Sequence, residues 1–190
     1  MHLKKRKNQK KQEDQKKQKT IRSAAAALSG EGAALLCAFF YQNVHSGNPA
    51  GTILVFLFFS AATEASVNDL NDRKIPNHVC RLIVGITITA VFLIPEIRAA
   101  ERALGAAAIG SLMLAAALIL PGVFGGGDIK LMAACGGFLG WEMIRDAFVT
   151  AVIAAVLAVF LLRVKEREYR TGIAMAPFFE LGMVLHFLRN

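Results

Sequence analysis

Hydrophobic positions in this chain fall into long runs broken by short polar stretches, among them His45–Pro49, Asp69–His78 and Pro121–Asp128. A helix needs about 20 mainly apolar residues to cross the hydrocarbon core of a bilayer. Seven segments approach that length: 23–44, 51–68, 79–95, 103–121, 129–141, 147–163 and 171–188. The first carries Glu31 and the fifth is short, so these two fit least well. The pattern predicts an all-α membrane protein, a polytopic bundle of about seven transmembrane helices.

Composition agrees with the pattern. Hydrophobic residues make up 55% and charged residues 19% of 190 residues, with a mean hydropathy of +0.46. That excludes an ordinary soluble domain and an intrinsically disordered chain. The net charge of +8 has a local origin. Residues 1–22 hold ten Lys and Arg against Glu13 and Asp14, and the remaining 168 residues are neutral. Such a Lys/Gln run cannot bury a core and reads as a disordered tail, placed to meet anionic lipid headgroups rather than nucleic acid. Cys37, Cys80 and Cys135 are isolated, with no C-x-x-C pair, and no metal site or cofactor is expected from them.

Orientation follows from Lys and Arg, which collect on the cytoplasmic side. With the tail inside, eighteen fall inside, including Arg73, Lys74, Arg81, Lys130, Arg163, Lys165, Arg167 and Arg170. Only Arg98, Arg102, Arg145 and Arg189 fall outside. Without the tail the balance is still eight to four, so the N-terminus is expected inside and the C-terminus outside. The long basic stretch before the first span, with no clean A-x-A site after it, argues against a cleaved signal peptide.

Acids near membrane depth are costly and deserve a functional reading. Asp69 ends the second predicted span and Asp128 opens the fifth, and the crossing count puts both at the same face. Two neighbouring carboxylates share one proton, so that one activates a water and the other polarises a carbonyl. Gly125, Gly126 and Gly127 before Asp128 permit a positive φ and close approach of another backbone. Each feature also has an inert explanation: Asp128 as a helix cap, Asp69 as a helix-end acid beside Arg73. Pro76, in Ile75-Pro76-Asn77, predicts a rigid turn, and Pro177 predicts a kink inside the last span. Glu64 and Glu180 lie deeper and could serve as relay residues or face a watery cavity. His78 and His186 show no metal-ligand spacing.

Taken in order, these residues resemble the type IV prepilin peptidases, membrane aspartyl proteases with a GxGD signature. Asp69 with Arg73, Ile75, Pro76 and Asn77 matches the family's D-x-x-x-R-x-I-P-N pattern. Gly125, Gly127, Asp128 and Lys130 match GxGD with its following Lys, and Pro177-Phe178 matches a late Pro-Phe. The matches cover about 54–188. The resemblance implies Asp69 and Asp128 as the catalytic pair, with Asp72 the alternative for the first. Arg73, Ile75, Pro76, Asn77, Gly125, Gly127, Lys130 and Pro177 would be supporting or substrate-positioning residues. It further implies a multi-pass inner-membrane endopeptidase that removes basic leaders from prepilin-like proteins at the cytoplasmic face. The Cys-rich segment of bifunctional members is absent, so peptidase activity without N-methylation is expected, as in short forms serving Flp-type pili or preflagellins. Residues 51–190 would form the six-helix family core, 23–50 an added span and outer loop, and 1–22 the tail. Two other readings remain: a non-catalytic subunit of a pilus or secretion system, and a proton-coupled transporter using Asp69, Asp128, Glu64 and Glu180.

Overall fold

The computed structural model describes residues 24–44, 48–120, 122–165 and 174–189. The basic tail, and the loop carrying Arg167 and Arg170, lie outside the described residues. Seven helices occupy the described residues, and no strand is found among them. They are α1 (Ala24–Val44), α2 (Pro49–Asp72), α3 (Asn77–Leu93), α4 (Ala99–Ile119), α5 (Gly126–Leu139), α6 (Trp141–Lys165) and α7 (Ala176–Arg189). The chain is a polytopic helical membrane protein. Four helices have the length and apolarity to cross a membrane: α1, α2, α4 and α6, the last over Trp141–Leu161. Helix α3 is apolar with 17 residues, while α5 and α7 have 14 each. At 1.5 Å per residue, 14 residues make about 21 Å, short of a hydrocarbon core of about 30 Å.

Local chemistry sets the helix ends. The Asn48 side chain accepts the Gly51 amide at 2.9 Å and Pro49 opens α2, both favoured at a helix start. Arg73 ends α2 in a left-handed conformation (φ 53°), donating its backbone N–H to the Asp69 carbonyl at 3.0 Å. Pro76 (φ −65°) then precedes α3, as the rigid turn predicts. Gly140 alone separates α5 from α6, and its φ of +80° is a conformation that needs glycine.

Without a hydrophobic drive between helices in lipid, close approach of small residues does the packing. Helices α4 and α5 meet backbone to backbone, since a Cβ at Gly105 would lie 2.6 Å from the Gly136 carbonyl. Gly182 of α7 likewise sits against the Ala147 carbonyl of α6. Helix α2 runs between α3 and α7, and α5 lies against α3, α4 and α6. Inside, the Phe58 and Phe138 rings stack at 4.1 Å, and Phe59 meets Phe187 edge-on at 5.2 Å. Outward-facing Leu28, Phe39, Phe92, Leu118 and Phe160 are exposed, as lipid-facing residues should be.

One polar side chain is buried at the end of the bundle where α3 and α5 finish. Arg102 is 3% exposed, and its guanidinium donates to the carbonyls of Phe138 (2.6 Å), Ile94 (3.0 Å), Ile97, Gly137 and Ala90. These carbonyls belong to or adjoin the last turns of α3 and α5, where helix geometry leaves acceptors unsatisfied and partial negative charge gathers. Asn48 adds a bond from Nδ2 to the Leu93 carbonyl at 2.6 Å.

Two expectations need correction. The second helix does not stop at Asp69: it runs on to Asp72, because the left-handed Arg73 closes its last turn. Pro177 makes no kink inside a span, because α7 begins at Ala176 and the proline occupies its first turn, where its missing N–H costs nothing.

Candidate active site

The candidate site lies where the C-terminal end of α2 meets the N-terminus of α7, and where the turn after α2 meets the N-terminus of α5. Asp69 is 7% exposed, on the face of α2 turned into the bundle. Its Oδ2 accepts the backbone N–H of Ala176, the first residue of α7, at 3.0 Å. That amide is one of the donors a helix start leaves without an intrahelical partner. Asp72, three positions on, is exposed. The geometry therefore distinguishes the two acids: Asp69 faces the bundle and Asp72 does not.

Asp128 occupies the first turn of α5, one of the helices too short to span. Its Oδ2 accepts the Gly125 amide at 2.9 Å. This is half of a capping box, because Gly125 has no side chain to reciprocate. The inert role suggested by the sequence, a cap, is thus present. Its other oxygen, Oδ1, is buried and has no hydrogen-bond partner among the described residues. Burial pushes the Asp128 carboxyl above the usual carboxylate range, the Gly125 amide works against that rise, and the negative charge of Asp69 adds to it. The two acids, 59 positions apart, therefore lie near enough to act on each other.

The glycines do part of what was expected. None of Gly125, Gly126 and Gly127 has a positive φ (Gly125 has −79°), and among described glycines only Gly122 and Gly140 do. An N-cap followed by a helical turn needs no left-handed residue. Close approach is found instead at Gly127, where a Cβ would lie 3.1 Å from the Ile75 Cβ. A Cβ at Gly125 would lie 3.2 Å from Asp128 Oδ2, whereas one at Gly126 would meet nothing within 4 Å. The Lys130 ammonium donates to Asn77 Oδ1 at 3.3 Å, a second tie between the α2–α3 turn and α5.

Residues 54–163, more than half of the chain and running from within α2 to near the end of α6, match the model of the type IV leader peptidase family. The chain belongs to this family. It is also 31% identical over 157 residues to the prepilin leader peptidase/N-methyltransferase of Bacillus subtilis (strain 168), an alignment covering 80% of this chain and 62% of that protein. The chain thus spans less than two thirds of that relative's length. No solved structure matches it.

In this member of the leader peptidase family, the fold brings together Asp69, Asp128, Ile75, Asn77, Gly125, Gly127 and Lys130. Pro177 adjoins the amide that meets Asp69. Glu64 stands apart, with its Oε1 3.1 Å from exposed His78 Nε2. Three features escaped the sequence reading: the Ala176 amide, the Arg102 clamp and a bond between Thr63 and Glu180. The first had a signal. Proline is favoured at helix starts, so Pro177 marks Ala176 as a residue with an orphan N–H.

Proposed function

We propose that this chain is an aspartic endopeptidase that removes basic leader peptides from prepilin-like proteins at the cytoplasmic face of the inner membrane. One observation carries the reading: Asp69 and Asp128, 59 positions apart, each accept a backbone amide at the start of a short helix, Ala176 of α7 and Gly125 before α5, and the charge of Asp69 acts on Asp128. Membership of the leader peptidase family supports the reaction class, and the name of the Bacillus relative supports the substrate class.

The chemistry follows from the pair. With one proton shared between two carboxyl groups, the ionised member takes a proton from a water as that water attacks the scissile carbonyl. The protonated member donates to the carbonyl oxygen as negative charge develops there. The tetrahedral intermediate then collapses as a proton passes to the leaving amine, and the C–N bond breaks. The raised carboxyl of Asp128, with its buried Oδ1 left without a partner among the described residues, favours it as the proton-bearing member. Gly126, open on its outer side, leaves room for a substrate backbone beside the acids.

The remaining features complete the proposal. The excess of Lys and Arg on alternate loops supports an N-terminus inside and a C-terminus outside. Residues 51–190 form the catalytic membrane core, with 23–50 and the lipid-contacting tail as additions. Methylation is assigned to the relative's name and not to this chain, whose three cysteines are single, buried residues within helices. The test is co-expression with tagged prepilins from the same genome, following leader loss by gel shift. Asp69→Asn and Asp128→Asn should each abolish processing at unchanged protein level. Processing by either variant would break the pairing, and failure of wild type on every prepilin would favour a non-catalytic subunit.

A further inference from the structure

Glu180 lies on α7, four positions and about 6 Å beyond Ala176, in the half of the helix that faces α2. Its Oε1 is 2.5 Å from Thr63 Oγ1, and Thr63 stands six positions before Asp69 on α2. Helices α2 and α7 are therefore joined twice along one seam, by Thr63 with Glu180 and by Asp69 with Ala176. The first contact fixes the height of α7 on α2, and the second depends on that height.

The protonation of Glu180 follows from counting hydrogens. Thr63 Oγ1 also lies 3.0 Å from the Phe59 carbonyl. A hydroxyl has one proton to give, and a carbonyl has none. Both contacts are hydrogen bonds at once when Thr63 donates to Phe59 and Glu180, as the neutral acid, donates to Thr63; a carboxylate would instead take the Thr63 proton and leave Phe59 to its helical amide alone. The surroundings favour the same state. No Lys, Arg or His forms an ion pair with Glu180 among the described residues. The titratable groups acting on it or feeling its charge are Glu31 and Cys37 from α1 and Cys135 from α5. The hydroxyls of buried Ser66 and Thr63 lie beside the same carboxyl and can hydrogen-bond it in either protonation state. With no cation beside it among the described residues, an ionised Glu180 would have just these hydroxyls to set against its lost hydration.

We propose that Glu180 is a positioning residue, held as a neutral carboxylic acid that donates to Thr63 and so sets the start of α7 on Asp69. The proposal rests on the two-aspartate reading for its effect on cleavage, and on the hydrogen-bond geometry alone for its protonation.

Glutamine is neutral, of similar shape, and carries a donor that can replace the acid O–H toward Thr63. Glu180→Gln should therefore keep cleavage within about threefold of wild type, while Glu180→Ala should lower kcat by about tenfold with little change in KM. Infrared difference spectra of the full-length protein in detergent at neutral pH, wild type minus Glu180→Gln, should contain the carbonyl stretch of a protonated carboxyl group. A carboxylate band in that difference would overturn the assignment, as would a Glu180→Gln variant that is folded yet as slow as Glu180→Ala. Failure of wild type to cleave any prepilin would remove the site to be positioned, while the infrared result would still decide the protonation.

Discussion

The Cβ of Ile75 sits where a side chain at Gly127 would have to go, 3.1 Å from the position of that missing carbon. One contact thus joins the turn after Asp69 to the helix that carries Asp128, and it makes the three glycines before Asp128 unequal. Gly127→Ala should push Ile75 and the turn away, lowering cleavage by about tenfold or more. Gly125→Ala should also impair the enzyme, through crowding at Asp128 Oδ2. Gly126→Ala, with open space around it, should stay within about threefold of wild type and unfold at nearly the same temperature. Kinetics and thermal unfolding of the three single variants check the ranking, and a harmful Gly126→Ala beside a harmless Gly127→Ala would contradict it.

Asp69 and Asp72 should separate cleanly. Asp72→Asn changes an exposed acid and should retain most processing, within about threefold. Asp69→Asn should lose it altogether. Leader cleavage measured on the two variants at matched protein level is sufficient, and equal losses would count against the burial argument.

Asp128 gives a pH prediction. Its carboxyl is pushed up on folding, so the folded chain binds the proton more tightly than the unfolded chain. The associated stability is full below the unfolded value, at about pH 4, and is lost as pH rises through the folded value. Asparagine stays neutral, and its oxygen can still accept the Gly125 amide. Asp128→Asn should therefore be inactive yet at least as thermostable as wild type at neutral pH, with the difference shrinking toward about pH 4. Melting curves in detergent across that range test it, and a variant less stable at neutral pH would contradict it.

Arg102 should matter for folding rather than chemistry. Its guanidinium serves carbonyls at the ends of two helices, so Arg102→Ala leaves buried acceptors without donors. A loss of about 3 kcal/mol or more is expected. Arg102→Lys should recover only part of it, since a point ammonium cannot reach as many carbonyls as a planar fork. Thermal unfolding of both variants would show this order, and a stable Arg102→Ala would refute it.

The helical class, the approximate spans and the ordered acid-bearing motifs were legible in the sequence, because apolar run length and turn chemistry are local. The expectation that Asp69 and Asp128 act together rested on a count of crossings and a resemblance. What was illegible depends on depth and partner. Arg102 looked like an outside loop residue, since a positive charge in sequence carries no sign of the five carbonyls around it. Glu180 looked like a relay candidate, because only the fold shows the Thr63 hydroxyl opposite it. The second helix overran Asp69 by nearly a turn because polar residues can continue a helix once a left-handed residue closes it. Pro177 was misplaced for a related reason: hydropathy marks apolar depth, not where hydrogen bonding begins.

Hydrolysis inside a membrane protein has a supply problem, since oil excludes one of the two reactants. The 14-residue lengths of α5 and α7 bear on it directly. Each falls about 9 Å short of an average hydrocarbon layer, and α5 is walled by α3, α4 and α6 rather than by lipid. A short helix held inside a taller bundle starts below the ends of its neighbours, and Asp128 lies at such a start. If the chain cleaves leader peptides as proposed, water and the peptide's charges would reach the acids from that aqueous end of the bundle without crossing oil.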